Sequence, residues 1–184
     1  MNLNAAMDLL VAEHKTILKV VYGLQRAGQS LRAGNYVSPI LLGDAVIFMR
    51  EFADRRHHAK EEDILFPALV AHGVPLHGCP IDALLHEHEK GRCLIKEIST
   101  SLDLYENNLV GAGIAIAEAI EGIVELYPNH IWKEDDMVFP MVERLFSEVD
   151  RLELYQKFQE VDARMEQESH KRFCDFAEKF LEKI

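Results

Sequence analysis

Residues 57–67, HHAKEEDILFP, decide the fold of this chain of 184 residues, because they occur twice. The second copy, HIWKEDDMVFP, occupies residues 130–140, and six of its eleven positions are identical to the first. Each copy has a histidine followed four residues later by a glutamate, His57 with Glu61 and His130 with Glu134. On a helix, residues i and i+4 lie on one face with Cβ atoms about 5–6 Å apart. We therefore expect both copies to be helical and to have the same structural role.

Composition indicates one globular domain over residues 1–184. Apolar residues make up 48% and charged residues 28% of the chain, as in ordinary globular proteins. The formal net charge of −11 disfavours non-specific binding to nucleic acid or to anionic membranes. The longest apolar run, residues 109–117, is far shorter than the ~20 residues that a membrane span needs, and the first residues lack a signal-peptide pattern. We expect a cytoplasmic protein with neither nucleic acid nor membrane as a partner.

Three cysteines, Cys79, Cys93 and Cys174, are widely spaced and form no CxxC pair. An odd number in this arrangement disfavours a disulfide framework and a zinc knuckle. We expect reduced thiols in or near the core.

Apolar side chains recur at intervals of three and four along most of the chain, which predicts helices. Ser38 and Pro39 suit the N-cap and first turn of one helix, and Pro80 suits the start of another. Pro128 lacks a backbone N–H, so we expect a kink or short break there. The predicted helices span about residues 5–33, 39–70, 80–105 and 109–146.

The C-terminal region continues the helical pattern. Ser147 and Asp150 resemble a capping box and introduce a last helix over about residues 148–183. No useful stretch alternates apolar and polar residues, so no strand is predicted. Four long helices joined by short loops each bury one stripe by packing antiparallel. The prediction is all-α: an up-down-up-down four-helix bundle over about residues 5–146, with an additional C-terminal helix that caps or flanks it.

Helical periodicity separates inward from outward histidines. One step of four back from His57 reaches Ala53, whereas steps of three and four back from His58 reach Arg55 and Asp54. This pattern predicts that His57 faces the core and that His58 faces solvent.

The same test predicts that His14, His88 and His130 also face inward, with Met137 on the face of His130. Four buried imidazoles and two buried carboxylates would each cost several kcal/mol without partners, and a pair of metal ions removes this cost. Imidazole and carboxylate without thiolate favour iron or manganese over structural zinc. If Glu61 and Glu134 both bridge, each ion keeps at least one position open for a small molecule.

These residues resemble the hemerythrin-like, HHE cation-binding family. The two copies of the repeat, HEHEKGR around His88 and AEHKT around His14 are similar to the metal motifs of that family, in its order, over about residues 8–145. The resemblance implies a four-helix bundle that holds a di-iron centre, two iron ions with an oxo or hydroxo bridge. The metal ligands that it implies are His14, His57, Glu61, His88, His130 and Glu134.

Two positions depart from the oxygen-carrying members of the family. Those proteins have a second histidine four residues after the third-helix histidine, where this chain has Arg92. They also use an aspartate five residues after the fourth-helix histidine, so Asp135 stays an alternative to Glu134. Four histidines with two glutamates are more similar to the di-iron proteins of iron–sulfur repair under nitrosative or oxidative stress. The N-terminal cysteine pair that those proteins usually carry is not in this sequence.

The leading hypothesis is a di-iron protein that binds or reduces dioxygen, peroxide or nitric oxide, in stress response or iron-centre repair. The alternative is a non-enzymatic oxygen or redox sensor, or an iron-storage or iron-donor module, that acts through a partner. A regulatory bundle that holds zinc or manganese is a third hypothesis. Whether the protein is an enzyme stays open, and neither a catalytic residue nor a site for another cofactor is assigned. Apolar residues that suit either a partner or the bundle itself are Leu154, Phe158, Val161 and Met165.

Other polar residues are weaker candidates. A second metal site at His72, His77 and Cys79 is disfavoured, and His170 with Glu166 is expected at the surface. Two aromatic residues that flank His130, Tyr127 and Trp132, are expected to be packing residues.

Overall fold

The structure is a computed structural model that describes residues 3–78, 80–164 and 167–184, with only the backbone described for residues 167 and 168. Within these ranges the chain forms six helices and no strand. Cys79, Met165 and Glu166, on which the sequence analysis commented, lie outside the described residues.

The first four helices are long. Helix α1 is Ala5–Arg32, and α3 is Pro80–Glu106. Helix α2 comprises Pro39–Phe48, then Met49–His58 and Glu61–Leu65 with wider π-helical turns, and finally Phe66–Ala71. Helix α4 comprises Ala112–Lys133, the π-helical turn Glu134–Val138, and Phe139–Leu145.

The prolines after the two repeat copies account for part of this irregularity. A proline has no backbone N–H, so the turn that precedes it loses one i→i+4 hydrogen bond. The N–H groups of Phe66 and Phe139, directly before Pro67 and Pro140, bond instead to carbonyls five residues back. Both copies of the repeat therefore contain the same π-helical turn.

Two buried apolar clusters lie at opposite ends of the bundle. The smaller cluster joins the start of α1, the end of α2, the start of α3 and the end of α4. The larger cluster joins the remaining parts of these helices. Neighbouring helices therefore run in opposite directions, and the predicted up-down-up-down four-helix bundle is confirmed.

The C-terminal region packs back on the bundle. It forms two helices, α5 at Glu148–Ala163 and α6 at Gln167–Phe180, where the sequence predicts one continuous stretch. Phe158 of α5 is fully buried in the smaller cluster, and Phe180 of α6 is fully buried in the larger one. A Cβ at Gly23 of α1 would lie 2.2 Å from the Phe180 ring, so this close approach requires glycine.

Several local predictions have clear outcomes. Ser147 and Asp150 form the predicted capping box at the start of α5. Of the kink or short break expected at Pro128, the break does not occur, because α4 continues through this residue. Cys93 is exposed, contrary to the expectation of a thiol in or near the core, and Cys174 is half-buried. Each helix in the described part of the chain is too short or too polar to cross a membrane.

Candidate metal centre

A buried layer of charged and polar side chains lies between the two apolar clusters. It contains all six predicted metal ligands together with four residues that the sequence analysis did not place there. The layer comprises Glu13, His14, Arg56, His57, His58, Lys60, Glu61, His88, His130 and Glu134.

Two glutamates form the centre of this layer. Glu61 and Glu134 are 0% exposed, and none of their four carboxylate oxygens has a hydrogen-bond partner among the residues that the structure describes. Burying a carboxylate without a partner costs much free energy, so we expect a cation to pair with these oxygens.

Four histidine Nε2 atoms approach the glutamate oxygens. Glu61 lies 3.6 Å from Nε2 of His57 and 3.5 Å from Nε2 of His88. Glu134 lies 3.1 Å from Nε2 of both His14 and His130, and 3.6 Å from that of His88. Each glutamate therefore reaches histidines on two different sides of the layer, as a bridging carboxylate must.

Each of the four histidines also hydrogen-bonds a carboxylate through Nδ1. Since a carboxylate only accepts, Nδ1–H donates, and the Nε2 lone pair is left for the centre of the layer. This carboxylate–histidine arrangement is typical of metal ligands. The Nδ1–oxygen distances are 2.9 Å for His14 with Asp135, 3.0 Å for His57 with Glu13, 2.6 Å for His88 with Glu62 and 3.1 Å for His130 with Glu87.

The Nε2 atoms also lie close to one another in pairs. Those of His14 and His57 are 3.0 Å apart, and those of His88 and His130 are 3.1 Å apart. When both rings are neutral, two lone pairs face each other at this distance, which requires a proton or a metal ion between them. Two nitrogen ligands at right angles on one ion, each about 2.1 Å from it, would lie about 3 Å apart. The two histidine pairs therefore fit two ions.

The pKa values of the layer indicate the same need for positive charge. Burial and the charge of Glu134 raise the pKa of Glu61 well above its usual value. Burial opposes ionisation of Glu134, but the neighbouring His130 holds its pKa well below the usual value. Burial lowers the pKa of His14, yet its hydrogen bond with Asp135 and the nearby Glu134 raise it to about 10. Glu61 thus tends to hold a proton itself, whereas Glu134 holds protons on the neighbouring histidines, and metal ions can take over the role of these protons.

The structure separates Glu134 from Asp135, which the sequence left as alternatives. Glu134 lies inside the layer, whereas the Asp135 side chain is 33% exposed and accepts a hydrogen bond from the outer nitrogen of His14. This geometry favours Glu134 as the inward carboxylate. Metal binding by the six predicted residues stays a prediction.

The predicted solvent exposure of His58 is wrong. His58 is only 3% exposed, and its ring stacks on that of His88 with a centroid distance of 3.8 Å. The physical reason is the π-helical turn at Met49–His58, which aligns residues five apart instead of four and so places His58 above the buried Ala53.

A π-helical turn also explains why Met137 does not lie on the inward face with His130. Met137 is 40% exposed, and Val138 takes the buried position because the turn Glu134–Val138 is also π-helical.

The outer carboxylates were not predicted from the sequence. The sequence contains a signal for two of them, because Glu13 directly precedes His14 and Glu87 directly precedes His88. These glutamates do not bond the histidines that they precede but His57 and His130, 43 or more residues away. Periodicity along one helix does not reveal such pairs.

Two weaker histidine candidates have other surroundings, and Cys79 lies outside the described residues. His72 stacks on Phe146, and His77 is 84% exposed. Tyr127 is buried as a packing residue, whereas Trp132 is 56% exposed and does not pack as predicted. Within residues 3–78, 80–164 and 167–184, the groups that could hold a metal ion are His14 with His57, Glu61 and Glu134, and His58 with His88 and His130.

Comparisons with known proteins agree with this arrangement. The family model for the hemerythrin HHE cation binding domain matches residues 5–142 of the chain. Uncharacterised proteins of Mycobacterium tuberculosis (strain H37Rv) and Mycobacterium bovis are 22% identical over 169 residues, which cover 91% of this chain and 62% of each relative. The chain thus spans less than two thirds of the length of these curated relatives. No solved structure matches the chain. Because the family match covers the whole bundle and its histidine–glutamate layer, the chain belongs to the hemerythrin HHE cation-binding family.

Proposed function

We propose that the buried layer holds two iron ions and that the protein binds or reduces a small oxidant, namely dioxygen, peroxide or nitric oxide. One observation carries this proposal: inward histidine nitrogens, each fixed by an outer carboxylate, surround two buried glutamates whose oxygens have no hydrogen-bond partner in the described part of the chain. Nitrogen and oxygen donors without thiolate suit iron.

In this proposal, His14 and His57 would hold one ion, His88 and His130 would hold the other, and Glu61 and Glu134 would serve both. Iron supplies electron exchange with a small oxidant and coordination positions that the protein leaves open. The ligand set is His14, His57, Glu61, His88, His130 and Glu134.

The remaining side chains orient the donors and exclude water. The outer carboxylates fix the ring orientation and tautomer of each histidine. The Phe139 ring stacks on His14 with centroids 5.6 Å apart, and the Phe66 ring stacks on His88 at 6.1 Å. These rings belong to the Phe-Pro pairs of the two repeat copies and close the layer toward the smaller apolar cluster. The layer is therefore a site for a small molecule and not for a large substrate.

Metal analysis and spectroscopy test the proposal directly. Protein loaded anaerobically with iron should bind two ions, and its absorption and Mössbauer spectra should change on exposure to air. Glu61→Ala and Glu134→Ala should each lose about half or more of the iron, because one bridging carboxylate serves both ions. Glu118→Ala, at an exposed position of α4, is the control. Full retention of iron in both bridge variants would refute the ligand assignment, and zinc or manganese in protein from its native host would refute iron.

A contact between the layer and the C-terminal helices favours a sensor as the second candidate function. Glu13 bonds His57 and also Lys60, and Lys60 pairs with Asp162 of α5 at 2.5 Å. A change at His57 can therefore reach the surface helices. Sustained consumption of peroxide or nitric oxide with a reductant favours the enzyme. Reversible binding without turnover, with altered hydrogen exchange in α5, favours the sensor.

Location in a reducing compartment such as the cytoplasm is part of the proposal. Cys93 and Cys174 are free thiols, and free thiols persist where disulfides are kept reduced. Fractionation of the native host would test this location.

A further inference from the structure

We propose that a cavity between α2, α3 and α4 binds hydrogen peroxide beside the buried layer, so that peroxide is the small oxidant that the site admits. This inference rests on the proposed function and narrows it from three small oxidants to one. Gly91 keeps the cavity open, and Tyr127 and Asp54 are the residues that bind the peroxide.

The cavity lies behind two histidines of the layer. It has a volume of about 280 Å³, and its walls include His58 and Tyr127. The His58 ring stacks on the ring of His88 with centroids 3.8 Å apart, and the Tyr127 ring meets that of His130 edge-on at 6.2 Å. A single layer of side chains therefore separates a molecule in the cavity from two of the predicted metal ligands.

The cavity opens to solvent and has room for a small molecule. Two arginines in its wall, Arg50 and Arg55, are exposed. One water molecule needs only about 15 Å³ of such space. Hydrogen peroxide is little larger than water, so it fits without any change of the fold.

The lack of a side chain at Gly91 keeps this space free. Gly91 of α3 lines the cavity, and a Cβ there would lie 3.5 Å from the hydroxyl oxygen of Tyr127, an ordinary van der Waals contact. Alanine would therefore fit at this position. A longer side chain would project toward Tyr127 and fill the cavity.

Tyr127 brings an unused hydrogen-bond donor to the cavity. The residue is only 4% exposed, and its hydroxyl forms no hydrogen bond with any residue that the structure describes. Burial of a hydroxyl without a partner is unfavourable, so we expect a ligand to accept its hydrogen bond. Burial and the charge of Asp54 raise the pKa of Tyr127, so the hydroxyl stays protonated and can donate.

Asp54 brings an unused acceptor to the same cavity. Its Oδ1 accepts hydrogen bonds from His58 at 3.2 Å and from Arg92 at 2.9 Å, whereas its Oδ2 has no hydrogen-bond partner within the described ranges. A carboxylate oxygen can only accept. A ligand that uses both Tyr127 and Asp54 must therefore accept one hydrogen bond and donate another.

This requirement distinguishes the three small oxidants. Hydrogen peroxide has two O–H groups and two acceptor oxygens, whereas dioxygen and nitric oxide carry no hydrogen and cannot donate to a carboxylate. Reduction of the peroxide takes two electrons, one from each ferrous ion of the proposed centre, and two protons from solvent, and it yields two water molecules. The polar cavity therefore favours peroxide.

Stopped-flow oxidation of the whole chain, loaded anaerobically with ferrous iron, tests the inference. Gly91→Leu should slow oxidation by hydrogen peroxide about tenfold or more, because leucine fills the cavity. Tyr127→Phe should lower the ratio of the peroxide rate to the dioxygen rate about fivefold, the effect of one lost hydrogen bond. Gly43→Leu is the matched control, because Gly43 does not line the cavity and its added Cβ would also make an ordinary contact, 3.6 Å from Leu102.

Binding to zinc-loaded protein gives a second measurement that does not depend on turnover. Zinc does not exchange electrons, and serine in place of Cys79, Cys93 and Cys174 prevents oxidation of thiols by the peroxide. Added hydrogen peroxide should shift the amide NMR signals of Gly91 and Arg92 until the site is saturated. Tyr127→Phe should weaken this binding about fivefold.

Three outcomes would overturn the inference while the proposed two-ion site stands. These are wild-type peroxide rates in both Gly91→Leu and Tyr127→Phe, equal slowing by peroxide and dioxygen in Tyr127→Phe, and amide signals of Gly91 and Arg92 that do not respond to peroxide. Failure of the wild type to bind two metal ions would instead overturn the proposed function, on which the inference rests.

Discussion

The two copies of the repeat contribute alike to the centre of the site but differ at its periphery. In the first copy, Lys60 bonds Glu13, which accepts from His57. In the second copy, Lys133 bonds Glu87, which accepts from His130. The residues after Glu61 and Glu134, namely Glu62 and Asp135, accept in turn from His88 and His14. Helices α1 and α2 thus repeat the arrangement of α3 and α4, and matched sequence gives a matched inner shell.

The difference lies in what covers each copy. Lys60 is 0% exposed, because Asp162 of α5 lies over it, whereas Lys133 is 27% exposed. Arg56 pairs with the same Asp162 at 2.9 Å and also contacts His170 of α6. The C-terminal helices therefore cover the first copy with charged contacts. A duplicated motif can fix the contacts around the two central glutamates, but an unduplicated segment decides how deeply each half is buried.

The largest expected effect separates the two lysines. Lys60→Met removes one of two cations from Glu13 and the partly exposed Asp162, which keep Arg56, and should lower the free energy of unfolding by about 3 kcal/mol, the lower end of the range for a broken buried ion pair. Lys133→Met removes a more exposed ion pair and should cost about 1 kcal/mol or less. Urea denaturation of both variants measures the difference. Equal losses would show that the cover by α5 has no energetic consequence.

The outer glutamates should differ in the acid stability of the metal-free protein. Burial opposes ionisation of Glu13, but His57 and Lys60 lower its pKa from 4.5 to about 2. A carboxyl with a lowered folded-state pKa stabilises the fold above pH ~4.5, and this stabilisation, about 3 kcal/mol, is lost as the pH falls to ~2. Glu13→Gln should flatten the pH dependence of urea stability in this range.

Glu87→Gln is the matched control for Glu13→Gln. The hydrogen bond from His130 lowers the pKa of Glu87 too, but its side chain is 22% exposed, so we expect a smaller change. If the slope of urea stability against pH changes more in Glu87→Gln than in Glu13→Gln, the first copy of the repeat is not the more deeply buried one.

The residues after the bridging glutamates should contribute equally to metal affinity. Glu62→Gln and Asp135→Asn each remove the negative partner of one histidine Nδ1–H and should weaken metal binding about 10- to 100-fold, or about 1.4–2.7 kcal/mol. Competition with a chelator measures both affinities. Metal affinities of the two variants that differ by more than about tenfold would show that the two copies do not contribute equally to the metal site.

The smallest effect is expected where the copies differ only at the surface. Trp132 of the second copy is 56% exposed and corresponds to Ala59 in the first. Trp132→Ala makes the copies alike and should change the free energy of unfolding by no more than about 0.5 kcal/mol. A loss of several kcal/mol in urea denaturation would show that Trp132 has a structural role.

Helical periodicity predicted much of the fold and of the candidate site. It identified the inward orientation of His14, His57, His88 and His130, because the residue four positions before each of them is apolar. It failed at His58 and Met137, because π-helical turns change the spacing of the inward face. The Phe-Pro pairs were a sign of irregular hydrogen bonding, but they did not show which residues it would turn inward.

The sequence by itself determined the four-helix bundle, the family and the pairing of an inward histidine with a glutamate in each repeat copy. These features depend on contacts within one helix, where i and i+4 share a face, and on a local pattern that occurs twice. Only the tertiary structure decided that Asp54 and Arg92 hold His58 inside the layer and that α5 covers Lys60. Such contacts join separate helices, so they depend on how the helices pack and not on the spacing along any one of them.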